Sequence, residues 1–196
     1  MKKHDYKVID NTCVYGLEES IIASGYPMAK RINPCNLTNC HLSERDMKRA
    51  MRLGKATAGS GHDCYLKGII VQFDLTLTKQ AWPEAQRYNF MHFVSSMSAM
   101  HMLAKMDVQF IPYTDRKIIN LFLNIVREYN QNPSEENWLR MMYSYPSGLL
   151  LTARMTLNYL QLKTIYAQRK THRLPEWKVI CAWIEHLPKV KELGVV

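Results

Sequence analysis

The chain has 196 residues, 47% of them apolar, 22% charged and 10% aromatic. That length predicts one domain over 1–196, and the composition excludes disorder because the apolar residues can bury enough surface to offset the entropy of ordering. A formal charge of +9, from 26 Lys and Arg against 17 Asp and Glu, favours anionic partners without choosing among them.

In chain order, Leu17 to Ser24 reads as a helix closing at Gly25, and Ser43 to Leu53 as a helix with a basic stripe of Arg45, Lys48, Arg49 and Arg52. Ile69, Val71, Phe73, Leu75 and Leu77 alternate with Gln72, Asp74, Thr76 and Thr78, the period of a strand with one buried face. Pro83 can open a helix running to about Asp107, because Phe90, Phe93, Met97, Met100 and Ala104 recur every three or four residues. Ile118, Leu121, Phe122, Ile125 and Tyr129 mark another helix, and Ser134 before Glu135 and Glu136 caps a third. After the breaker Pro146-Ser147-Gly148, the run 149–157 alternates as a second strand, with Arg154 off its buried face. Tyr159, Leu162, Tyr166 and Arg169 share a helix face, and Pro175 opens a helix carrying Trp177, Ile180, Trp183, Ile184 and Leu187. The sum is an α+β fold, a predominantly antiparallel sheet covered by helices, because both strands alternate as sheets buried on one face do.

No stretch reaches the ~18 apolar residues of a membrane span. The start, Met-Lys-Lys-His-Asp-Tyr, lacks the apolar segment of a signal peptide. A soluble, cytoplasmic protein with no membrane partner is therefore expected. Five cysteines, Cys13, Cys35, Cys40, Cys64 and Cys181, at irregular spacing read as reduced thiols. Cys35, Cys40-His41 and His62-x-Cys64 lack the spacing of common zinc sites, so no metal is expected.

The stretch Gly59-Ser60-Gly61-His62-Asp63-Cys64 runs into the first strand. Small residues there allow close approach to a phosphate or ring, and His62 can donate to an anion, although a glycine-rich loop is also simply a turn. It is not a Walker motif, since the Gly-Lys-Ser/Thr ending is missing. Arg169 reads either as a phosphate ligand or as a helix-end cap. Ser98 reads as a packed helix serine or a nucleophile, with no base near it in sequence. The methionines 91, 97, 100, 102 and 106 read as core filling or as a face for a partner subunit.

Order and spacing across residues 46–184 make a wider pattern. GHDCYLKGIIVQFDL resembles the GHxSPxEHxxFTF loop and strand of flavin-dependent thymidylate synthases, with Gly61, His62, Leu66 and Phe73 in matching places. The segment from Pro146 to Asn158 resembles that family's Leu-Pro, strand and Thr-x-Asn-Leu-Arg arrangement, and NYLQLKTIYAQRKTHRLPEWKVI resembles NLRSLRHFLxLRxxxxAQWEIR at Asn158, Leu162, Arg169 and Trp177. RAMRLGKA is similar to its Ala-Arg-x-Ser segment. The family's RHR motif is absent: the chain has Arg87-Tyr88-Asn89, one residue out of register, and Lys67-Gly68 where the loop has Glu-His.

The resemblance implies an intertwined homotetramer that moves a one-carbon unit from methylenetetrahydrofolate to C5 of dUMP, with FAD as hydride carrier and NADPH as reductant. It implies FAD contacts at His62, Arg87 and Asn158, substrate contacts at Arg169 and Ser98, and Ser98 as the catalytic position. The missing RHR triplet weighs against FAD and favours an alternative, a non-catalytic nucleotide-binding protein on the same fold. Nucleic-acid binding through the basic surface is a third reading, carried by charge alone.

Overall fold

The computed structural model describes residues 7–30, 32, 41–57 and 59–196. The N-terminal hexapeptide, Cys35 and Cys40 lie outside the described residues. The fold is α+β, with a four-stranded antiparallel sheet in the order β1-β2-β4-β3. Its central strands are β2 (Ile70–Thr78) and β4 (Leu150–Asn158), within a residue of the predicted spans. Their alternation is real: Val71, Phe73, Leu75 and Leu77 are buried from β2, and Ala153, Met155 and Leu157 from β4. On the opposite face Arg154 Nη1 donates to Asp74 Oδ1 at 3.2 Å and the Thr76 and Thr152 hydroxyls meet at 2.8 Å, cross-strand pairs of about 0.2–1 kcal/mol each.

The edge strands were not foreseen. β1 (Ile9–Tyr15) is mostly exposed, and its apolar residues sit at its two ends, so no alternation marks it. β3 (His92–Ser96) replaces the middle of the helix predicted from Pro83 to Asp107. That segment instead forms a short helix, α3 (Trp82–Gln86), then a turn, then β3, then the single-turn α4 (Ala99–Met102). The three-to-four spacing was misleading because Phe93, Met97 and Met100 stay exposed and share no buried face. An aromatic and β-branched segment, His92-Phe93-Val94, pairs with β4 instead, a contest that short apolar runs leave open.

The chain divides into two compact units, Met1–Asp10 with Asp74–Met155 and Asn11–Phe73 with Thr156–Val196. In the first, α5 (Arg116–Gln131) and α6 (Glu135–Ser144) form a helical hairpin. Asp115 and Ser134 cap their starts by accepting from the Lys117 and Asn137 amides at 2.7 and 3.2 Å. Their apolar faces close on Leu103 and Leu149 through Phe122, Ile125 and Met141, all buried. Trp82 is anchored by its indole N–H, which donates to the Leu151 carbonyl at 3.1 Å.

The second unit holds α1 (Leu17–Ala23), α2 (Glu44–Gly54), the glycine-rich loop, a 3-10 turn (Cys64–Gly68), α7 (Tyr159–Arg169) and α8 (Pro175–Glu185). Phe73 packs on Trp183 with ring centroids 4.5 Å apart. Tyr159 is fully buried and donates its hydroxyl to the Pro188 carbonyl at 2.7 Å. The C-terminal residues Val190, Leu193 and Val195 are buried in this unit. Gly54 must be glycine, because a Cβ there would stand 2.1 Å from the Leu193 carbonyl oxygen.

Candidate functional site

The basic stripe of α2 separates into different roles. Ser43 caps the helix, and its hydroxyl also donates to the Asp46 carboxylate. Asp46 in turn pairs with Arg49 at 2.6 Å. The Ser43 hydrogen bond and, after it, Arg49 hold the Asp46 carboxyl below its ordinary pKa, against the opposing effect of burial. Arg49 also binds α1: the Nη2 that meets Asp46 reaches the Ile21 and Ile22 carbonyls at 3.2 and 3.1 Å, and Nε donates to the Ser24 hydroxyl at 3.1 Å. A cation at a helix C-terminus satisfies its last carbonyls and its dipole together. Gly25 leaves room for this contact, since a Cβ there would fall 2.7 Å from Arg49 Cζ and displace the guanidinium. Lys48 pairs with Glu44 in open solvent, which contributes little. Arg52, one turn further on, is exposed and directed into a cleft.

That cleft has a volume of about 710 Å³, within the range of small-molecule sites. Arg52, His62, Cys64 and Tyr65 line it beside an apolar side made by Ala23, Pro27, Met28 and Leu53. The loop reaches it through two left-handed glycines, Gly59 at φ +81° and Gly61 at φ +76°, conformations that side chains resist. Asp63 is buried and bound to Lys163, whose ammonium lies 2.9 Å from Asp63 Oδ2 and 2.7 Å from the Gly54 carbonyl. Tyr65 donates to the Ala50 carbonyl at 2.8 Å. Burial, with the Asp63 charge adding to it, pushes its hydroxyl pKa up, so it stays protonated. The arrangement can take an anion on Arg52 and His62 and an apolar or planar body against Met28, Pro27 and Leu53.

The other residues singled out in the sequence fall as follows. Asn158 caps α7 in a capping box: its side-chain oxygen accepts from the Gln161 amide at 3.0 Å, and Gln161 Oε1 accepts from the Asn158 amide at 2.8 Å. Its side-chain NH2 is the donor left to it by that cap. Arg169 is in the last turn of the same helix, about 16 Å along the axis from Asn158 at 1.5 Å per residue. Its guanidinium lies 4.5 Å over the Trp177 ring, and His172 meets that ring edge-on at 6.1 Å. Nearby, Tyr166 donates to Glu185 Oε1 at 2.7 Å. Burial and Glu185 push the Cys181 thiol up, with Arg169 opposing them. In the first unit, Arg87 is the exposed C-cap of α3. Ser98 is the N-cap of α4 and accepts from the His101 amide at 3.4 Å. Sequence reasoning named His62 and Arg52, but not the Asp63–Lys163 pair, which spans a separation of 100 residues and leaves no local signal.

Among the described residues, no group of three or more His, Cys, Asp or Glu could hold a metal ion. Within them, no helix is long and apolar enough to cross a membrane.

No protein-family model and no curated protein matches the chain. Among solved structures it is similar to two of the flavin-dependent thymidylate synthase ThyX from Helicobacter pylori with FAD and dUMP. The identity is 15% in both, over 95% of this chain and 96% of the other, with TM-scores of 0.70 and 0.69. At that identity the likeness shows the fold, over nearly the whole length of both chains.

Proposed function

We propose that the chain is a nucleotide enzyme of the FAD-dependent thymidylate synthase type, transferring a one-carbon unit to C5 of dUMP or a related pyrimidine nucleotide. The observation that carries this reading is that His62, which matches the family's loop histidine, lines a nucleotide-sized cleft together with Arg52 on the same fold. The cleft's volume and its lining of a fixed cation, a histidine donor and apolar side chains suit a dinucleotide cofactor, whose phosphates Arg52 and His62 would hold by hydrogen bonds to anionic oxygens. When bound, FAD supplies hydride transfer; NADPH is the proposed reductant and methylenetetrahydrofolate the proposed carbon donor.

The chain's own residues would bind and polarise. C5 of a uracil ring becomes nucleophilic when negative charge developing at the ring oxygens is stabilised, and Arg169 is the fixed cation proposed for that role. Its place over the Trp177 ring, 4.5 Å from the centroid, anchors the guanidinium there by cation–π attraction. Asn158, whose side-chain oxygen serves the α7 cap, would act through its NH2 as a hydrogen-bond donor toward the nucleotides, and Ser98, whose hydroxyl keeps its proton and a second lone pair beside the α4 cap, is the proposed catalytic position. Arg87 and Ser98 are proposed to come from a neighbouring subunit of a homotetramer. Exposed Phe93, Val94, Met97 and Met100 support such assembly.

A second reading, a non-catalytic nucleotide-binding protein, is favoured by one observation: Arg87 stands alone at a short helix end where the family has three basic residues. Titrating the purified protein with FAD and with dUMP, then assaying dUMP methylation with all three co-reactants, separates the readings. Binding with turnover supports the enzyme, binding without turnover supports the second reading, and no binding of either ligand removes both.

A further inference from the structure

The carboxylate of Asp63 and the ammonium of Lys163 are taken largely out of water, with side-chain exposures of 8% and 22%. Such a pair is weak grounds for stability, since an apolar pair of similar volume often holds a fold as well or better. What this pair does have is an unusual placement. Lys163 comes from the middle of α7, Asp63 from the glycine-rich loop, and the second oxygen on the same ammonium is the Gly54 carbonyl at the end of α2. That end is itself held in place, because Gly54 packs against the Leu193 backbone too closely to admit a Cβ. The loop enters the cleft through two glycines at positive φ, residues that leave the backbone many alternatives; just beyond it Tyr65 meets the Ala50 carbonyl, and the Asp63–Lys163 pair ties the loop itself to α7 and to the end of α2.

We propose that Lys163 is the positioning residue of the cleft: by holding Asp63 and the Gly54 carbonyl on one ammonium, it fixes the loop bearing His62 against the helix bearing Arg52, and so sets the affinity of the cleft for FAD. The affinity half of this inference rests on the cofactor assignment above; the clamp itself does not. An ammonium suits the task because it offers three donors around a compact charge, and the carbonyls at a helix C-terminus favour a cation. Pre-placing the two anion-binding groups removes an ordering cost that the ligand would otherwise have to meet on binding.

The test compares full-length wild type, Lys163→Met, Lys163→Arg and the double variant Asp63→Asn/Lys163→Met, which leaves no buried charge behind if Lys163→Met alone does not fold. Amide hydrogen exchange read by mass spectrometry on peptides covering 59–64, and FAD affinity measured well below the unfolding temperature, are the two readouts. Loss of the clamp should speed exchange in 59–64 by about tenfold or more while β2 and β4 keep wild-type protection, and should weaken FAD by about tenfold. Lys163→Arg, which keeps a cation, should recover part of both. Unchanged exchange in 59–64 in folded Lys163→Met or the double variant overturns the clamp, and equal acceleration throughout the protein overturns it as well, since that is general destabilisation. Faster loop exchange with unchanged FAD affinity overturns the affinity half. A wild-type protein that binds no FAD overturns the cofactor assignment and the affinity half with it, and the loop exchange then decides the clamp.

Discussion

The guanidinium carbon of Arg169 lies over the Trp177 ring, 4.5 Å from its centroid. A guanidinium so placed gains cation–π attraction and offers a planar fork of donors that lysine cannot reproduce. Arg169→Ala is expected to weaken dUMP binding by about 2 kcal/mol, roughly thirtyfold. It should also cost about 1 kcal/mol of stability through the lost cation–π contact. Calorimetric titration beside urea unfolding separates the two effects. A stability loss with unchanged dUMP affinity would leave Arg169 a purely structural residue.

Arg49 ties α2 to the C-terminal carbonyls of α1. Arg49→Leu should therefore lower the unfolding free energy by about 1–3 kcal/mol, because partly buried acceptors lose their donor. A larger loss is expected of Gly54→Ala, about 3 kcal/mol, because its new Cβ would collide with backbone and not with a movable side chain. Urea midpoints of the two variants check both values. A neutral Gly54→Ala would show that the C-terminal segment does not pack at that point.

Asp46 gives the same junction a pH dependence. Its folded pKa lies below the ordinary 3.8, chiefly through the Ser43 hydroxyl and then Arg49. A carboxyl depressed on folding contributes stability that is fully present above its unfolded pKa and lost as pH falls through the folded value. Asp46→Asn should accordingly be less stable than wild type at pH 6, and the difference should shrink as pH drops below 3.8. Unfolding curves at pH 6 and at stepwise lower pH test this; a difference that grows on acidification would reverse the sign of the argument.

Phe93 and Val94 on β3 are 45% and 56% exposed, on a strand at the edge of the sheet. An open edge bearing apolar side chains is a site for association. Light scattering at micromolar concentration should report an oligomer for wild type, and a smaller species for Phe93→Glu/Val94→Lys. A monomeric wild type would remove the proposed assembly.

How far the sequence disclosed the fold depended on how much side-chain burial each element uses. The central strands and the helices α1, α2 and α5 to α8 bury one face, so their periodicity, the Ser134 cap and the opening Pro175 were legible. The edge strands bury little: β1 shows no alternation, and the apolar spacing through β3 imitated a helix that does not form. In the site, His62 and Arg52 were visible as chemistry on a loop and a stripe. The fate of Arg49 was not, because its partners lie 25 to 28 residues away on α1. Nor were the capping duties of Ser98 and Asn158, both of which read as ligand positions by resemblance.

The proposed function places a flavin dinucleotide in the cleft lined by His62 and Arg52. The most direct measurement is a titration of the full chain with FAD, followed by flavin fluorescence, in wild type, Arg52→Ala and His62→Ala. Wild type should bind saturably and Arg52→Ala about tenfold or more weakly through loss of a charge-assisted phosphate contact, with a smaller loss for His62→Ala. Absence of saturable binding by wild type, or affinities unchanged in both variants, would rule the cofactor out of this cleft.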